Sequence, residues 1–171
     1  MILKGSAVNR VLRLLFLIGL VVGPVVILAT TSAWPEPVAT HFGAGGLADG
    51  WMSRKGYQAF MIALCIALPL ILWAPITWLP RIWPQAVNLP HREKWLAENR
   101  LPETFTMLER FGLRLGLLAE ILVLAIHYSV WEANQHQPAQ LNMSLFLPIL
   151  VGGLVGIGGL SFGFYWQFKE T

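Results

Sequence analysis

The side chains with the most chemical potential fall into two groups, one inside an apolar stretch and one in a loop dense in turn formers. Glu120 heads the first group, near the centre of a long apolar run. An ionised carboxylate facing lipid at that depth is unfavourable by roughly 3 kcal/mol or more, so such groups face the interior of a helix bundle. His127 lies seven residues further on, which on a helix returns almost to the same face, about 10 Å along the axis. Glu120 and His127 therefore form a polar stripe, read as a proton or cation path or as a buried contact that a ligand completes. The plainer reading is a structural hydrogen bond to neighbouring helices.

The second group occupies Trp34 to Tyr57, where prolines and glycines interrupt two apolar runs and Glu36, His41, Asp49 and Trp51 cluster. Loops held on a rigid scaffold commonly carry recognition, so these four residues are the candidate ligand- or partner-binding set. His41 and Asp49 can also simply tie down the loop's own backbone. Histidine with carboxylate suits zinc, and His41, His127 and His136 lie in the same half of the chain's membrane map as Glu36, Asp49 and Glu132, with His91 apart. No short ligand motif joins them, so a metal site would require convergence through folding. No metal centre and no cofactor is expected.

Enzymatic chemistry has little to rest on. Ser32, Ser53, Ser129, Ser144 and Ser161 lack a nucleophile-elbow frame. Gly43-Ala44-Gly45-Gly46 is followed by neither a helix start nor a Lys-Ser/Thr pair, and no His-Glu-x-x-His occurs. The expectation is a protein that is not an enzyme.

The elements that must position these residues follow from composition. The 171 residues are 56% hydrophobic and 12% charged, about half the charge of an ordinary soluble domain. Eight tryptophans suit a chain with membrane–water boundaries. Cys65, the single cysteine, lies in an apolar run and forms no intramolecular disulfide. Leu14 to Ala33 carries no charge over twenty residues, enough to cross the hydrocarbon core as a helix. A cleaved signal peptide competes for this stretch because Thr31-Ser32-Ala33 resembles a cleavage site, but its apolar run is longer than such segments use. Gly23-Pro24 is expected to kink the helix. Four spans result, at about 11–33, 57–80, 110–131 and 145–168, in a single membrane domain. The loop 34–56 joins the first two. The charged stretch 81–109 joins the second and third, with a short surface helix from Arg92 to Asn99 whose Trp95 and Leu96 dip into the interface. Gln135 to Asn142 is a short polar loop.

Lysines and arginines sort by side. Lys4, Arg10, Arg13, Arg81, Arg92, Lys94, Arg100, Arg110, Arg114 and Lys169 fall on one side, and only Arg54 and Lys55 on the other. This distribution argues against a nucleic-acid face and, by the positive-inside rule, places both termini and the 81–109 loop in the cytosol, with the 34–56 loop outside. The expected fold is thus an all-α integral membrane protein, a four-transmembrane-helix bundle with a structured extracytoplasmic loop between helices 1 and 2. Close helix packing in lipid relies on small residues. Gly152, Gly156, Gly159 and Gly163 line one face of the fourth span, either to seat it in the bundle or to dock a second copy or a partner's helix. Gly19 with Gly23 and Gly112 with Gly116 form shorter pairs.

Pro35, Pro37, Val38, His41, Phe42, Gly46, Asp49, Gly50, Trp51, Ser53 and Lys55 together resemble the signature of the family called Domain of Unknown Function 1648, with Lys55 displaced one place by Arg54. The stretch Asn88-Leu89-Pro90-His91-Arg92-Glu93-Lys94-Trp95-Leu96-Ala97 is similar to a second family segment but departs from it at His91 and Lys94. The resemblance implies a multi-pass protein of the bacterial cytoplasmic (inner) membrane. The family includes SdpI-like immunity proteins, which protect against a secreted toxin and signal its presence. Those proteins carry further spans and a second domain that have no counterpart here. The functional expectation is a binding, sensing or accessory component that uses its outer loop, with an immunity-like role by analogy. The alternative is a small transporter or transporter subunit using Glu120 and His127.

Overall fold

The computed structural model describes residues 2–169, with the side chains of residues 2–6 and of Ala86 outside the description. Lys4, counted among the sorted cations, therefore has no described side chain, and Glu170 and Thr171 lie outside the described residues. In chain order the elements are α1 (Ile2–Thr31), β1 (Val38–Phe42), β2 (Ala48–Met52), α2 (Arg54–Ile82), α3 (Arg92–Trp95), α4 (Leu101–Ala133) and α5 (Met143–Lys169). A 3-10 turn at Pro84–Ala86 follows α2.

Among the described residues, α1, α2, α4 and α5 are long and apolar enough to cross a membrane, the architecture of a multi-pass membrane protein. A bilayer interior offers backbone groups no partner but the helix itself, so long apolar runs become helices that extend past the hydrocarbon edges. Each of the four is therefore longer than the span expected for it from the sequence. α1 continues unbroken through Pro24, and α2 accommodates Pro69, Pro75 and Pro80.

α4 is the central helix and packs against α1, α2 and α5. Of its most apolar window, 44% is buried, against 6% for α5. Gly19, Gly23, Gly112 and Gly116 each admit a neighbour's side chain. A Cβ on Gly116 would stand 2.5 Å from the Phe16 ring, one on Gly112 3.2 Å from Thr77 Oγ1, and one on Gly23 2.5 Å from Cys65 Sγ. The predicted glycine face of α5 is only partly used. Gly156 meets Leu118, joined by Gly153 against Leu122, whereas Gly152, Gly159 and Gly163 have open space where a Cβ would be. The i, i+3 pair at 153 and 156 sets the seam, so the longer stripe runs off α4 instead of seating the helix.

The loop between α1 and α2 is not merely compact. It is a two-stranded antiparallel sheet, which corrects the all-α expectation. Val38 pairs with Met52, Ala39 with Trp51, His41 with Gly50 and Phe42 with Ala48, with irregular register around His41. Gly46 makes the turn possible with φ of 80°, a conformation that glycine adopts without a Cβ penalty.

Trp95 does not dip into a membrane interface. α3 is a single turn, Trp95 is buried, and its ring packs edge-on against Phe168 at 4.7 Å. The indole Nε1 donates to the Phe168 carbonyl at 3.1 Å, which fastens the connector to the end of α5.

Candidate functional site

The hairpin displays its ionisable pair. His41 Nδ1 and Asp49 Oδ1 are hydrogen-bonded to each other, and the His41 side chain is 77% exposed. They therefore bond each other, where the sequence suggested the loop's own backbone. Trp51 and Leu47 are exposed beside them in the same hairpin. The scaffold beneath is tightly held. Asn134, just past the end of α4, accepts from the Ala39 amide at 2.9 Å and donates to the Ala39 carbonyl at 2.9 Å. One side chain thus pairs with β1 as a further strand residue would. The Gln135–Asn142 loop adds backbone bonds from Leu141 N to Gly46 O at 2.7 Å and from Ala48 N to Ala139 O at 3.1 Å.

Glu36 is committed elsewhere. Both its carboxylate oxygens accept from the Arg54 amide at 3.1 Å, at the N-terminus of α2, where a negative charge is stabilising. Arg54 reaches back through Nη1 to the Ser32 carbonyl at 2.8 Å and the Trp34 carbonyl at 3.2 Å. The candidate recognition set thus divides: His41, Asp49 and Trp51 face outward, and Glu36 holds the hairpin to α2.

Glu120 and His127 are both buried on α4, at 4% and 2% exposure. His127 lies in a closed network. Tyr57 Oη is 2.8 Å from Nδ1 and Thr30 Oγ1 is 2.7 Å from Nε2. The Thr30 hydroxyl already donates to the Val26 carbonyl at 2.7 Å, so it accepts from His127. The proton is therefore on Nε2, and Nδ1 accepts from the Tyr57 hydroxyl. Trp34 stacks on the imidazole at 5.6 Å and 10°. Glu120 has no such company. Its Oε1 is buried without a hydrogen-bond partner, and its carboxylate lies against Gly19 of α1, where a Cβ would collide with Oε2. The stripe has the predicted face, but among the described residues the two share no hydrogen-bond partner.

A third buried cluster escaped the sequence reading. Asn9 of α1 donates to Glu109 Oε2 at 3.1 Å and to the Thr106 carbonyl at 3.0 Å. Arg13 pairs with Glu109 Oε1 at 2.8 Å, and Arg110 Nε donates to Asn9 Oδ1 at 3.1 Å. Glu109 lies three turns before Glu120 on the same face, a spacing that the stripe itself could have revealed. Asn134 is similarly seven residues beyond His127. Asn9, by contrast, has no such signal.

The histidines of the hairpin half sit in three separate settings: His41 with Asp49, His127 with Tyr57 and Thr30, and His136 with Glu132 at 3.1 Å. Among the described residues no three of His, Cys, Asp and Glu converge as a metal site.

Residues 14–67 match the family model described as Domain of unknown function (DUF1648). The match takes in most of α1, the whole hairpin and the first half of α2. Glu120, His127 and Asn134 lie beyond it in sequence while packing against it. Nothing among curated proteins or solved structures matches the chain.

Proposed function

We propose that this carrier of the DUF1648 domain is a binding or sensing component of the bacterial cytoplasmic membrane, with the hairpin as its recognition surface outside the cytosol. The supporting observation is the contrast within the hairpin. Its backbone is clamped to α4 by the buried Asn134, while His41, Asp49 and Trp51 remain exposed. A preordered backbone carrying an aromatic ring and a hydrogen-bonded His–Asp pair loses little freedom on binding. An immunity-like role is the special case in which the ligand is a secreted toxin.

The test is photo-crosslinking in cells from position 47, comparing the parent chain with His41→Ala, Asp49→Ala and Glu120→Gln. Capture of a defined partner that is lost in both hairpin variants and retained in Glu120→Gln supports the reading. Capture indifferent to His41 and Asp49 overturns it.

A second reading rests on the unpartnered Oε1 of Glu120: a small transporter or transporter subunit moving protons or cations past this carboxyl. It predicts that Glu120→Gln abolishes pH-coupled flux in proteoliposomes while the hairpin variants retain it. Equal flux in parent and Glu120→Gln removes it.

A further inference from the structure

A groove lies between α4 and α5, toward the end of the bundle that holds most of the arginines. Its volume is about 270 Å³, and its lining includes Arg110, Phe111 and Arg114 from α4 and Gly159, Gly163 and Phe164 from α5. Two features make it more than a gap between helices. Gly159 and Gly163 leave its α5 wall open, with nothing within 4 Å of where a Cβ would stand. Phe111 and Phe164, stacked at 4.0 Å and 13°, contribute apolar surface. The groove is thus shaped for a slender apolar chain with a charged head at one end.

Arg114 supplies the charge. It is exposed, and no hydrogen bond, ion pair or ring contact engages it among the described residues, unlike Arg13 with Glu109, Arg100 with Glu103 or Arg54 with Glu36. Arg110, one turn earlier, bonds Asn9 through Nε and lines the same groove. Ala133, where α4 ends, is nineteen residues beyond Arg114, a rise of about 28 Å. That is close to the roughly 30 Å of a hydrocarbon core, which sets Arg114 at the level where acyl chains meet headgroups. A cation at that depth extends toward the interface and takes an anion there. Basic pockets between membrane helices are suited to anionic lipid headgroups.

We propose that the α4–α5 groove is a binding site for one anionic phospholipid. Its phosphodiester sits on Arg114, and an acyl chain lies over Gly159 and Gly163. The inference goes beyond the recognition reading of the hairpin and does not depend on it. The groove also explains why the glycine face of α5 runs off the α4 seam: the open glycines accommodate lipid where a helix would otherwise pack.

Full-length protein in a neutral detergent, titrated with phosphatidylglycerol or phosphatidylcholine and examined by native mass spectrometry, tests this directly. The parent chain should retain one phosphatidylglycerol in preference to phosphatidylcholine. Arg114→Gln should weaken retention about fivefold, the contribution of one basic residue near an anionic surface, and Arg114→Lys should keep most of it. Gly163→Leu fills the open side of the groove and should exclude the lipid while leaving the thermal stability of delipidated protein unchanged. Arg92→Gln, a charge removed away from the groove, should retain lipid like the parent. Equal retention of the two lipids, unchanged retention in both Arg114→Gln and Gly163→Leu, or displacement by millimolar inorganic phosphate alone would each overturn the proposal. So would a doubled mass that survives delipidation and disappears in Gly163→Leu, because the occupant would then be a second copy of the chain.

Discussion

Gly116 and Phe16 meet where α1 crosses α4, and the ring has nowhere to retreat. Phe16 is fully buried and lies 5.4 Å from the Trp73 ring, while a Cβ on Gly116 would stand 2.5 Å from its edge. Gly116→Ala should therefore destabilise the protein by about 1–3 kcal/mol, the usual penalty for overpacking. Adding Phe16→Leu should recover part of the loss, both read as thermal unfolding in detergent. A single-substitution midpoint equal to the parent's would contradict the contact. Tyr57→Phe isolates another close fit. It keeps the ring beside Trp34 at 5.1 Å but leaves His127 Nδ1 without its donor. An unsatisfied buried acceptor is unfavourable by about 1–3 kcal/mol. The same melts should show the loss, with a shift in Trp34 emission because the indole stacks on this imidazole.

Among the elements, the hairpin depends on a residue that is not part of it. Asn134→Ala removes the side chain that pairs with both backbone groups of Ala39. The four long helices should persist, while the Ala39 amide should exchange roughly 5- to 150-fold faster, as expected for about 1–3 kcal/mol of lost local protection. Hydrogen exchange at residue resolution reads this, and unchanged protection would show that the clamp is dispensable. α3 makes the reverse case, in which a connector holds a span. Trp95→Ala empties a fully buried site against Phe168 and should lower stability by about 3–5 kcal/mol. These dependences separate what could be read from sequence and what could not. The spans were legible because a bilayer leaves an apolar run of that length no alternative to a helix. The inward face of α4 was legible because Glu120 and His127 share a helical period. The Asn134 clamp and the burial of Trp95 were not, because each joins segments distant in the chain, and the sheet, though local, is a pair of five-residue strands whose register is irregular around His41. Asn9, among arginines near the start of α1, reads as an ordinary flank until Glu109 is seen beside it.

For the whole molecule, the alternation of four helices sends the cations to one end. Among the described residues, Arg10, Arg13, Arg81, Arg92, Lys94, Arg100, Arg110, Arg114 and Lys169 fall toward one end of the bundle, and Arg54 and Lys55 toward the hairpin end. The positive-inside rule then predicts that a phosphatase reporter inserted at Gly45 is active outside the cytosol and one inserted at Glu98 is not. The opposite pattern would turn the hairpin inward and end the recognition reading, though the α4–α5 groove would merely change leaflets. The grip of Asn134 on Ala39 has a mechanical consequence at this scale as well. Strand and helix share that fastening with no slack between them, so any load a bound molecule places on β1 bears directly on the tip of the helix that carries His127 and Glu120.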